Sequence, residues 1–176
     1  MESNRLSACT APAVRAAIER HIGWLDAEVT DAERLLTEAV RAGPAWREKD
    51  GLLRSIPGIG PVVSRTLLAS LPELGAADGG RLAAPAGLAP YAHDSGTLKG
   101  IQHIRGGRAD VRRALYLAAL SVARRDGPLK AFADRLRSRG RKPEVVLIAV
   151  ARKLLTIANA VVRSGRPWQP ELAMAR

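Results

Sequence analysis

The sequence predicts an all-α protein: a long N-terminal coiled-coil-like helix, then a compact helical domain containing a helix-hairpin-helix. Three observations predict it. Apolar residues recur at spacings of three and four through every long segment, the signature of one face of a 3.6-residue helix. Nothing alternates convincingly at period two, as a half-buried strand would. Aromatic residues supply 3% of a chain that is 47% hydrophobic, so the core must be mostly Ala, Leu, Val and Ile, which suits closely packed helices.

The first element runs from Pro12 to Ala42. Ile18, Ile22, Leu25, Val29, Ala32, Leu36 and Val40 form a heptad-like stripe, with Glu19, Arg20, Glu33 and Arg34 around it. A long arm that buries one stripe needs a cover. A second copy of the arm supplies one, making the chain a homo-oligomer through residues 12–42; the chain's own domain is the alternative. "RAGPAW", Arg41 to Trp46, then breaks the helix.

After Trp46 a short helix ends near Ser55, and a tight turn uses Pro57, Gly58 and Gly60. Pro61 suits the first position of the next helix, where its missing N–H costs nothing. Val63, Leu67 and Leu71 mark that helix's buried face and Pro72 stops it. This is the wording of a helix-hairpin-helix spanning 52–71, whose "PGIG" leaves N–H groups free to hold a phosphate at Gly58 and Gly60. A Gly-Pro corner that touches nothing is the alternative reading.

"AADGGRLAAPAGLAP" follows, with room for a short helix interrupted by Pro85. Beyond residue 108, helices are expected over Ala109–Arg125, around Leu129–Leu136 with a stop at Gly140, and from about Pro143 to Ser164, ended by Gly165.

Charge divides the chain. Residues 1–90 hold 10 Lys and Arg against 11 Asp and Glu; residues 91–176 hold 18 against 6. A basic half beside a neutral one points to a polyanion, most often nucleic acid, with a merely basic surface as the alternative. One cysteine, Cys9, excludes an internal disulfide framework and offers no metal cluster. The N-terminus lacks a secretory apolar segment and no apolar run reads as a membrane span, so a reducing, cytoplasmic setting is the default expectation.

The segment "YAHDSGTLKGIQHIRGGR", Tyr91 to Arg108, has almost no apolar periodicity and holds four glycines. Gly106 and Gly107 precede a helix whose first turns carry Arg108, Arg112 and Arg113, with Lys99 and Arg105 adding charge from the loop. Free N–H groups at a helix start, flanked by guanidinium groups, suit an anion such as a nucleic-acid backbone. His93, Asp94 and Ser95 are adjacent, and neighbouring side chains rarely converge, which argues against a Ser-His-Asp triad. Ser-Gly is also ordinary turn wording. A hydroxyl among phosphate-gripping arginines is nonetheless where a nucleophile for phosphoryl transfer would have to be, so Ser95 is the catalytic candidate.

The stretches "LLRSIPGIGPVVSRTLLASLPELG", "AGLAPYAHDSGTLKG", "HIRGGRADVRRALYLAAL" and "KPEVVLIAVARKLLTIANAVVR" closely resemble the C-terminal transposase domain of the one-ten family of bacterial insertion sequences, with its Piv-type DNA invertase relatives. The resemblance runs from about Leu52 to Trp168 and implies a helical arm over 1–46 and a transposase domain over 47–176, with the Ser-Gly loop at 91–108. It further implies a serine nucleophile that joins transiently to a DNA phosphate, mapping onto Ser95. Lys99 through Arg113 would lie against nucleic acid. Full members carry a RuvC-like domain with four acidic residues that bind magnesium, and some are guided by a structured RNA. No span before residue 52 reads as such a domain, so no metal or other cofactor is expected in this chain. A truncated or remnant transposase, unable to transfer strands alone, is the expectation. Pro85 and Gln102 also depart from the family's pattern.

Overall fold

The computed structural model describes residues 2–78, 80–92 and 102–170. Among them are seven α-helices, six of them expected from the sequence pattern, and the chain divides into two units, Met1–Arg47 and Glu48–Arg176.

The first unit contains α1 (Glu2–Ala8), which the sequence reading did not anticipate, and α2 (Pro12–Ala42). Pro12 stands in the first turn of α2, where its fixed φ is already helical. Ion pairs one turn apart, Arg15 with Glu19 and Arg34 with Glu38, both at 3.1 Å, support its surface by about 0.3–0.5 kcal/mol each. The apolar stripe is largely uncovered within this unit. Ile18 is the one buried residue of α2, whereas Val29, Leu35 and Leu36 are each more than half exposed. A break at Gly43 leads into α3 (Pro44–Arg54).

The second unit is built around α7 (Pro143–Ser164), which packs against α5 (Ala109–Val122) and α6 (Pro128–Ser138); α5 in turn packs on α4 (Pro61–Ser70). Leu53, Leu67, Leu115, Leu154 and Val150 are fully sequestered in one core. Burying each leucine contributes about 2 kcal/mol of transfer free energy. By length and composition α7 could cross a membrane, with a mean hydropathy of 2.0 over its most apolar window, which corrects the expectation that no apolar run is long enough. Half of that window is buried in this core, so its apolarity is accounted for by packing.

Polar groups fasten the connections. Ser64, fully buried, donates to Asp50 Oδ1 at 2.7 Å and ties α4 to α3. Asn159, buried on α7, accepts from the Gly75 N–H at 2.7 Å and donates to the Ala77 carbonyl at 3.0 Å. One side chain thus satisfies both a donor and an acceptor of the irregular segment after α4, groups that are costly to leave unpaired. The small-residue stretch forms a single 3₁₀ turn at Arg81–Ala83, with Leu82, Ala86 and Leu88 buried.

Two short strands depart from the purely helical expectation. β1 (Pro90–Ala92) pairs antiparallel with β2 (Gln102–Ile104), in the register Pro90 to Ile104 and Ala92 to Gln102. Three residues per strand are too few to display a period-two pattern, so backbone pairing rather than side-chain alternation defines this ribbon.

Candidate nucleic-acid interface

The base of the ribbon is joined to α5 by a backbone clasp. Gly87 and Gly107 both have positive φ, at 67° and 62°. A Cβ on Gly107 would lie 2.3 Å from the Gly87 nitrogen and 2.5 Å from the Ala84 carbonyl oxygen, so only glycine permits this approach. The Arg108 N–H donates to the Pro85 carbonyl at 2.8 Å, and Arg112 Nη1 donates to the Gly106 carbonyl at 2.7 Å. Pro85, a departure at the sequence level, therefore serves here as an acceptor in the clasp.

The charged groups at the start of α5 have internal partners. Arg108 makes a bidentate pair with Glu73, at 3.0 and 2.9 Å. That pair holds the Glu73 carboxyl below its ordinary range and pushes the Arg108 guanidinium up. Asp110 accepts from the Ser70 hydroxyl and then from the Val111 N–H, which together hold its carboxyl below the usual range. The N-terminus of α5 thus already faces an anion of its own chain, the Asp110 carboxylate. Among the sequence-predicted cations, Arg113 and Arg105 are exposed, while Arg108 and Arg112 are half-buried and engaged. Ser95 and Lys99 lie outside the described residues.

Arg113 opens onto a cleft of about 840 Å³ between α5 and α7, closed at one side by Pro90 and Ile104 of the ribbon. Arg141, Arg152, Tyr116, Val145 and Ile148 also line it, with Glu144. Among the described residues Arg113, Arg141 and Arg152 have no ion-pair partner. Sequence reasoning missed Arg152, on the exposed face of a helix read as core, and Arg141 and Tyr116, on the segment before α7 and on α5, which only the fold brings to the same cleft. The available signal was periodic: Val145, Ile148 and Arg152 share one face, offset from the buried Val146, Val150 and Leu154.

A second concavity, about 400 Å³, lies at the turn between α3 and α4, lined by Arg54, Gly58, Gly60, Ser121 and Arg125. The two glycines differ in kind. Gly58 has φ of 85°, and a Cβ there would lie 2.2 Å from Val122 Cγ1, so its role is packing on α5. Gly60, at φ −86° and ψ −178°, is extended, and a Cβ there would meet nothing within 4 Å.

No three His, Cys, Asp or Glu side chains converge on a possible metal position among the described residues. Glu73 and Asp110, the carboxylates beside the clasp, do not fit a magnesium ion, since Arg108, Ser70 and the Val111 N–H already occupy them.

Residues 50–134 match the family described as Transposase IS116/IS110/IS902. The chain therefore carries a transposase domain of that family. It is 31% identical over 153 residues to the pilin gene-inverting protein of Moraxella bovis, covering 85% of this chain and 47% of that protein. It is 30% identical over 170 residues to the insertion element IS900 uncharacterized 42 kDa protein of Mycobacterium paratuberculosis, covering 94% and 41%. Against the insertion element IS116 uncharacterized 44.8 kDa protein of Streptomyces clavuligerus, identity is 32% over 149 residues, covering 83% and 36%. The chain spans about half the length, or less, of these curated relatives.

Proposed function

We propose that the Glu48–Arg176 unit is the DNA-gripping, serine-bearing part of an insertion-element recombinase. The observation that carries this reading is the position of Arg113, Arg141 and Arg152 around one cleft beside the β1–β2 ribbon, in a domain of a transposase family. Guanidinium groups there would hold backbone phosphates, giving salt-dependent binding with little base preference. Ser95 follows the β1 strand in sequence, three residues after Ala92. Its hydroxyl would attack a DNA phosphorus, forming a phosphoserine ester as one strand hydroxyl departs with the proton. Attack by a strand hydroxyl would then release the serine, so bond energy is conserved. Lys99 and Arg105 would add phosphate contacts beside it. Magnesium on four acidic residues, as the family resemblance implies, would be supplied from outside these 176 residues, and a structured guide RNA would be a further partner. Acting on DNA, the chain would work in the cytoplasm.

The exposed stripe of α2 would pair with the same stripe of a second copy as a coiled coil. A second reading, a non-catalytic helix-hairpin-helix module with Ser95 a turn residue, is favoured by Gly60: neither backbone strain nor packing requires glycine there, but close approach of a phosphate would.

Two measurements test the proposal. Binding to duplex DNA is expected to weaken at least tenfold between 50 and 200 mM salt, by about 0.9 log unit per phosphate contact for each log unit of salt. Recombination in a reconstituted system is expected to vanish in Ser95→Ala while DNA binding persists. Undiminished recombination by Ser95→Ala would leave only the non-catalytic reading.

A further inference from the structure

The α5–α7 cleft has two kinds of surface that no single structural role explains. Its rim is cationic, with Arg113, Arg141 and Arg152. Its wall is largely apolar and only partly covered: Val145 is 51% exposed, and Tyr116 and Ile148 are half-buried. Backbone phosphates account for the arginines but not for the exposed Val145 or the accessible parts of the half-buried Tyr116 and Ile148. Core packing accounts for apolar residues only where they are covered. A flat apolar group that carries its own phosphate satisfies both halves.

We propose that this cleft receives one unstacked nucleobase of a nucleic-acid strand, while the arginines of its rim hold the adjoining phosphates. Tyr116 offers an aromatic face, and Val145 and Ile148 offer an aliphatic one, the surfaces on which extruded bases stack. Glu144, in the first turn of α7, also lines the cleft and adds a carboxylate to it. A carboxylate accepts from exocyclic amino groups, so it favours cytosine or adenine over thymine. The volume, about 840 Å³, lies within the range of clefts that enclose small ligands. Arg112, which shares the wall, is fixed by its bond to the Gly106 carbonyl, so part of the wall is set before any strand arrives. The inference rests on the proposed binding of DNA by this unit but does not require Ser95 to be catalytic.

The test uses the 176-residue chain and two DNA duplexes identical except for one unpaired 2-aminopurine, bulged in one and absent from the other. The bulged duplex is expected to bind about tenfold more tightly, the equivalent of one stacked base, with a change in 2-aminopurine emission on binding. Tyr116→Ala and Val145→Asp are each expected to abolish that preference. Leu117→Ala, on an exposed part of α5 away from the cleft, is expected to preserve it. Glu144→Gln is expected to reduce discrimination between bulged cytosine and bulged thymine. Val145 is exposed, so its variant tests the cleft even where Tyr116→Ala perturbs folding, which circular dichroism reports. Equal affinity for both duplexes in the unaltered chain, or a preference that survives both cleft variants, overturns the inference while leaving DNA binding intact. Failure to bind either duplex at 50 mM salt overturns it together with the proposed function. Loss of self-association in Tyr116→Ala, with the bulge preference unchanged, reassigns the cleft to a protein partner and also overturns it.

Discussion

At the scale of single residues, the two glycines of the "PGIG" turn separate packing from access. Gly58→Ala combines a positive φ with a steric clash against Val122 and is expected to cost about 2–4 kcal/mol. Gly60→Ala meets no neighbour and is expected to change stability by less than about 1 kcal/mol, while weakening DNA binding if a phosphate approaches there. Urea midpoints and DNA affinities of the two variants check this, and equal destabilisation would refute the distinction. The sequence shows both glycines alike. Their difference depends on Val122, far along the chain, and no local pattern carries it.

The Glu73–Arg108 pair makes a second prediction, in pH. Because the folded carboxyl titrates below its ordinary value of 4.5, its contribution is fully present above that value and is lost as pH falls through the lowered folded value. Glu73→Gln is therefore expected to lower the urea midpoint at pH 7, with the gap to the parent chain narrowing at pH 3. A gap that widens on acidification would contradict the assignment. Arg108 was legible as a cation at a helix start; that Glu73, from the segment after α4, would claim it was not. Sequence patterns report charge, whereas pairing across the fold depends on tertiary placement.

At the scale of elements, α2 is the most legible part of the chain and the least self-sufficient. Its start at Pro12 and its end before Gly43 follow directly from local grammar, and its stripe follows from periodicity. Val29, Leu35 and Leu36 are nonetheless open within their own unit. Leu36→Lys is expected to shift the chain toward monomer in sedimentation at micromolar concentration, if a second copy covers that stripe. An unchanged distribution would leave the proposed pairing without support. The ribbon shows the opposite case. Its strands are too short for alternation, so the sequence carries no strand signal on the element that flanks Ser95. The ends of α7, Pro143 and Gly165, were legible for the same reason as those of α2, but the burial of Asn159 was not. An asparagine on an otherwise apolar face reads as an interruption until its two backbone partners are in view.

At the scale of the whole chain, composition located the charge in the second half of the sequence, and the fold distributes it. Arg108 and Arg112 are spent on internal bonds, whereas Arg113, Arg141 and Arg152 gather at one cleft from separate parts of the chain. Linear sequence showed the surplus but not this allocation, because residues 113, 141 and 152 belong to α5, to the segment before α7 and to α7 itself.

The clasp of Gly87 against Gly107 has a mechanical consequence. With backbone touching backbone, and Arg112 bridging the same spot, the root of the ribbon has no slack. The spacing between the ribbon's foot and the start of α5 is therefore set by main-chain contact and not by adjustable side chains, like a vice with one fixed jaw.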